Sequence, residues 1–160
     1  MGPCEKSFIP ACDSDALICV VYPTEAFDGN GLEAAAFQIS EIHDNRQEMT
    51  ADVCATPYPP KTEAGVSEWP EFMISAKHPT EMIGAVLFVH GTIGDGATSH
   101  WHSVDLYRAF HRGRCFELAV SEAGADPSVS DPPEKPLSPQ QQKSLDAGLS
   151  RILHSFRFRQ

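Results

Sequence analysis

MIGAVLFVHGTIGDGATSHWHSVDLYRAFHRGRCFELAVSE, residues 82–122, is the stretch that decides the fold class. Residues 85–90 form a short apolar run ending at Gly91, with the length and the β-branched and aromatic content of a buried strand rather than a helix. Val104, Leu106 and Arg108 then alternate with Asp105, Tyr107 and Ala109, and further on Phe116, Leu118 and Val120 alternate with Cys115, Glu117 and Ala119. A period of two puts each set on its own face of a strand. Arg112 and Gly113 stand between these runs, and a glycine there supplies the positive φ of a tight hairpin. The stretch reads as three consecutive strands, with a loop rich in glycine and histidine over 91–103 joining the first two.

Upstream, DALICVVY (15–22) is a strand that stops at Pro23, since proline cannot donate to a ladder. A turn through Asp28, Gly29, Asn30 and Gly31 leads to AAAFQISEI (34–42), whose alternation suits a second strand paired with the first as a hairpin. Residues 50–53 suit one helical turn, 55–70 is a proline-rich loop, and EFMISA (71–76) reads as a short strand. Downstream, 124–136 is an exposed connection. Ser138, Pro139 and Gln141 then supply an N-cap, a first-turn proline and a capping-box partner. Leu145, Leu149, Ile152 and Leu153 make one apolar stripe, so that helix must lie against the sheet. SFRFR (155–159) alternates as a final short strand or extended tail.

Strands in consecutive blocks followed by a helix give an α+β class: an antiparallel β-sheet, built from a β-hairpin plus a three-stranded meander, flanked by helices, with the C-terminal helix packed on the sheet. Residues 1–14 form a flexible N-terminal arm and 15–160 a single domain. A chain of 160 residues buries about two thirds of the surface its unfolded form exposes, enough for a real core.

Composition narrows the function. With 41% hydrophobic and 21% charged residues the chain as a whole is not disordered, while 13 prolines and 11 glycines call for long loops. Twelve basic against 22 acidic residues leave a charge of −10, the wrong sign for a protein that neutralises phosphates, so no nucleic acid is expected. The local cluster of Arg108, His111, Arg112 and Arg114 reads as a solvated hairpin turn. No run approaches a membrane span, so no transmembrane segment is expected, and no charged-then-apolar leader opens the sequence; Met1 with Gly2 fits a start left by removal of one. Five cysteines, at 4, 12, 19, 54 and 115, have no zinc-like spacing. Outside the cytoplasm one or two disulfides are expected, leaving at least one thiol unpaired, and the connectivity is open.

The motifs that invite chemistry are incomplete. LFVHGT (87–92) is similar to the strand-end HG of α/β-hydrolases, but Ser121 lies in AVSEAG without the flanking glycine of a nucleophile elbow. GTIGDG (91–96) lacks the lysine and serine or threonine of a phosphate loop. His100 and His102 flank Trp101, so in an extended chain they share a face and form half of a divalent-metal site, with His90, Asp105 or His111 as further ligands. Gly94, His100 and His102 resemble the opening of the first cupin motif, without its glutamate or a second motif.

The strand around Cys19 to Pro23, the alanine- and phenylalanine-bearing strand over 34–39, the hairpin YRAFHRGRCFELAV (107–120) and the closing ILHSFRF (152–158) together resemble small bacterial domains of unknown function with a Mog1/PsbP-like α/β/α sandwich. The resemblance spans most of 15–158 and its motifs are structural. It implies an antiparallel sheet flanked by helices, a periplasmic or secreted setting, and action by binding proteins; no catalytic residue and no cofactor comes with it. The expectation is a non-catalytic, exported accessory or interaction domain that presents a sheet face or the 91–103 loop to a protein partner. The alternative is a small metal-binding protein or metal-dependent enzyme using His100 and His102.

Overall fold

The computed structural model describes residues 12, 15–27, 30–43, 48–55, 79–97, 100–126, 129 and 135–159. Within them lie six strands: β1 (Ile18–Val21), β2 (Leu32–Ile42), β3 (Thr80–Ile83), β4 (Val86–Ala97), β5 (His100–His111) and β6 (Arg114–Ala125). One 3-10 turn, Glu25–Phe27, separates β1 from β2; a short helix α1 (Ala51–Ala55) follows β2, and α2 (Pro139–Ser155) follows β6. The strands make one antiparallel sheet in the order β1-β2-β6-β5-β4-β3. The fold is thus α+β, with fewer flanking helices than a full three-layer sandwich.

Both hairpins read from the sequence form. β1 pairs with β2, and the β5–β6 turn places Arg112 and Gly113 at φ 52° and 79°, the left-handed pair that a two-residue turn between twisted strands requires. Pairing of β2 with β6 joins the hairpin to the meander: Ile39 faces Leu118 and Phe37 faces Val120.

The glycine-rich segment departs from expectation. It is strand, not loop: β4 continues through Gly91, Gly94 and Gly96, so only residues 98 and 99 are left between β4 and β5. The register explains why. Gly91, Gly94 and Gly96 lie opposite Leu106, Ser103 and Trp101 of a strand that is itself paired along its whole length with β6. Glycine lowers strand propensity, but it also leaves room for a large cross-strand neighbour, and a paired neighbouring strand overrides the local preference. The expected strand at 71–76, nearly all of the 55–70 loop and the 1–14 arm apart from Cys12 lie outside the described residues. The tail after α2 forms no strand; it packs by its side chains instead.

Helix α2 starts as expected. Ser138 Oγ accepts from the Gln141 amide at 3.3 Å, and the Gln141 side chain accepts from the Ser138 amide at 3.0 Å. Leu145, Leu149 and Leu153 are buried on one face of the sheet, the first two with Phe27, Leu32 and Ala35, the third with Phe37, Phe88, Tyr107 and Leu118. Phe156 and Phe158 extend that core, and Phe158 stacks on His111 with ring centroids 4.2 Å apart. Two glycines make the layers fit. A side chain at Gly148 would strike the Tyr22 ring, and one at Gly124 would strike the Gly31 carbonyl and the Trp101 indole. On the opposite face, α1 is tied to the sheet by a Cys54–Cys115 disulfide, and a second disulfide joins Cys12 to Cys19 of β1.

Candidate functional site

Strand alternation sorts the polar side chains of the central strands onto two faces. Tyr107 and Ala109 share a core with Leu153, so the odd-numbered residues of β5, Asp105 among them, face α2, as does His90, which is registered with Tyr107. His100 and His102, even-numbered, face the other way, where His100 Nε2 lies 3.6 Å from Glu33 of β2. The expected metal set therefore does not converge: His90 and Asp105 are on the opposite side of the sheet from His100 and His102. His111, the other ligand considered, shares the odd-numbered face and stacks on Phe158. Among the described residues no group of three histidines, cysteines or carboxylates is placed to hold a metal ion.

The face under α2 carries a small polar cluster. Thr92 Oγ1 donates to Asp105 Oδ1 at 2.7 Å, His90 Nε2 lies 3.2 Å from the same oxygen, and the His90 ring stacks on Tyr107 at 4.4 Å. Burial pushes the Tyr107 hydroxyl well above its ordinary range, and the Asp105 and Glu81 carboxylates add to the effect. One carboxylate oxygen thus takes both the Thr92 hydroxyl and a histidine nitrogen. The groups cross-link β4 to β5.

Beside them, Gln142 of α2 donates through Nε2 to Glu122 of β6 at 3.4 Å and to Asp146 at 2.8 Å, so one amide bridges two carboxylates. Burial raises the Glu122 pKa; the Gln142 hydrogen bond works against the shift, and Asp146 and Asp105 reinforce it. A carboxyl whose pKa is raised on folding holds its proton where the unfolded chain has released it, so stability falls as pH rises from the ordinary glutamate range through the raised value. Glu122→Gln should accordingly raise the melting temperature at pH 7, with the advantage over the native chain shrinking towards pH 4. An advantage that stayed constant across that range would remove Glu122 from the account. At the other end of α2, His154 Nε2 lies 2.8 Å from Glu81 of β3, and its Nδ1 2.7 Å from the Ser150 carbonyl oxygen.

What the sequence reading missed lies at the margin of the sheet. Among the described residues β1 is an edge strand, and Leu17 (59% exposed), Ile18, Val20 and Val21 (60% exposed) are all open to solvent. No charge occurs between Asp15 and Glu25. The run was legible as a strand, but a strand buried on both faces and an apolar edge strand read alike. A second exposed group, Met82, Leu87 and Phe110, lies on the face opposite α2, near the turns at 84–85 and 112–113.

Fold and surface together define an α+β domain in which an antiparallel sheet, covered on one face by its C-terminal helix, exposes an apolar edge. No family model matches the chain, and no curated protein or solved structure is detectably similar to it.

Proposed function

We propose that this chain is an exported, non-catalytic accessory domain that binds another protein, and that the partner adds an extended segment to the β1 edge. The observation that carries this reading is β1 itself. An edge strand presents unpaired backbone donors and acceptors, and proteins commonly guard such edges with lysine or other charges. β1 is short and followed by Pro23, but it has no charge, and apolar side chains are exposed on both of its faces. Strand addition uses these features: backbone hydrogen bonds supply affinity and alternate side chains supply selectivity. The Cys54–Cys115 and Cys12–Cys19 pairs support a periplasmic or secreted setting, because disulfides persist in oxidising compartments. The Mog1/PsbP-like resemblance is in keeping with this reading at the level of fold alone.

The test uses the full chain as bait on an envelope fraction, with Val21→Lys and Ile18→Lys in parallel. A protein retained by the native chain and lost from both variants, at unchanged melting temperature, is the expected result. Retention by all three chains, or by none, would place the contact elsewhere or remove it.

A further inference from the structure

The end of the sheet that holds the turns at 84–85 and 112–113 gathers positive charge in a chain of net charge −10. Arg112 is exposed in the β5–β6 turn; the stem of Arg157 lies over Gly84 of the β3–β4 turn; Arg159 follows Phe158, which is stacked on His111. Three described carboxylates at this end are already matched: Glu41 with Arg114, Glu117 with Arg108 and Glu81 with His154. Arg157 donates only to the backbone carbonyls of His154 and Phe156. Three guanidinium groups are thus left without a carboxylate among the described residues. Beside them, Met82, Leu87 and Phe110, 56%, 56% and 36% exposed, lie on one face. Met82 is registered with Leu87, and Phe110 with the buried Cys115 on the next strand.

We propose that this end docks on an anionic lipid surface. Exposed apolar side chains with arginines at the adjoining turns and tail meet what such a surface demands, apolar groups that enter the acyl boundary and cations that stay at the headgroups. The cations are spread over a turn and the C-terminal tail, on both sides of the sheet. That arrangement suits a surface of diffuse negative charge better than the fixed, shape-matched carboxylates of one protein partner. Each cation near an anionic leaflet is worth roughly a fivefold gain in binding, so three give on the order of a hundredfold preference over a neutral surface. The proposal does not depend on the β1 edge.

The experiment is co-sedimentation of the full chain with phosphatidylglycerol-containing vesicles and with pure phosphatidylcholine vesicles, with soluble polyglutamate as competitor. Binding to the anionic vesicles alone, weakened by high salt, is expected. Arg112→Glu and Arg159→Glu should each lower it about fivefold or more, and Phe110→Ser should lower it while leaving its salt dependence in place. Val21→Lys should leave it unchanged, which separates this site from the protein-binding edge. Equal binding to both vesicle types overturns the proposal. So does binding that polyglutamate abolishes and Phe110→Ser leaves intact, since that describes a site for acidic protein.

Discussion

Replacing Cys54 and Cys115 together by alanine should lower the free energy of unfolding by about 4 kcal/mol, the loop-closure value for a cross-link that spans 61 residues. Both cysteines are buried, so their removal also leaves space that the surrounding side chains fill only in part. The corresponding Cys12→Ala, Cys19→Ala pair spans seven residues, and the same relation gives about 2 kcal/mol. Urea unfolding of the native chain, the two double variants and the reduced native chain separates these contributions, with intact mass after alkylation, with and without prior reduction, counting the bonds. The larger loss should come with loosening of α1 from its sheet face, because five residues are far too few to hold a helix in water without the packing that the bond to Cys115 fixes. A Cys54→Ala, Cys115→Ala chain as stable as the native one, or a native chain that takes up as many alkyl groups without reduction as after it, would remove the bond, and with it the main support for an exported setting.

How much of this molecule could be read in advance depended on whether the signal was local. The β5–β6 hairpin was legible because Gly113 must take a positive φ and the residues on both sides alternate. Helix α2 was legible because Ser138, Pro139 and Gln141 mark its start and the leucines repeat at helical spacing. The glycine-rich half of β4 was not, since what holds Gly91, Gly94 and Gly96 extended is the neighbouring strand, and that Leu106, Ser103 and Trp101 stand opposite them is known only with the register. The same limit governed the candidate site. That His100 and His102 share a face followed from their spacing. That Asp105 lies on the other face follows from its odd spacing to them along β5, and that His90 does followed only from the parity of the β4–β5 register. The role of β1 was hidden for a related reason: LICVVY has the same composition in the middle of a sheet as at its edge, and strand order is a property of the whole chain.

Leu149→Ala should cost about 2 to 5 kcal/mol, the range for truncating a well-packed buried leucine. Its side chain sits with Leu145 against Phe27, Leu32 and Ala35, where α2 crosses β2, and close packing leaves the neighbours little freedom to collapse into the space. For a domain of this size the melting temperature should fall by roughly 2 to 4 °C per kcal/mol. Val21→Lys on the β1 edge is the matching control. Its side chain is 60% exposed, so the change should stay within about 0.5 kcal/mol in the isolated chain. The contrast matters because both positions are aliphatic and would look equally like core in the sequence. If α2 over the sheet carries the stability and β1 is kept apolar for a partner, the two substitutions must separate: one unfolds the chain and leaves the edge chemistry alone, the other spares the fold and removes binding. Thermal denaturation of both variants decides it. A Val21→Lys loss as large as that of Leu149→Ala would mean that β1 is covered by its own chain, and an apolar strand already covered offers no edge to a partner.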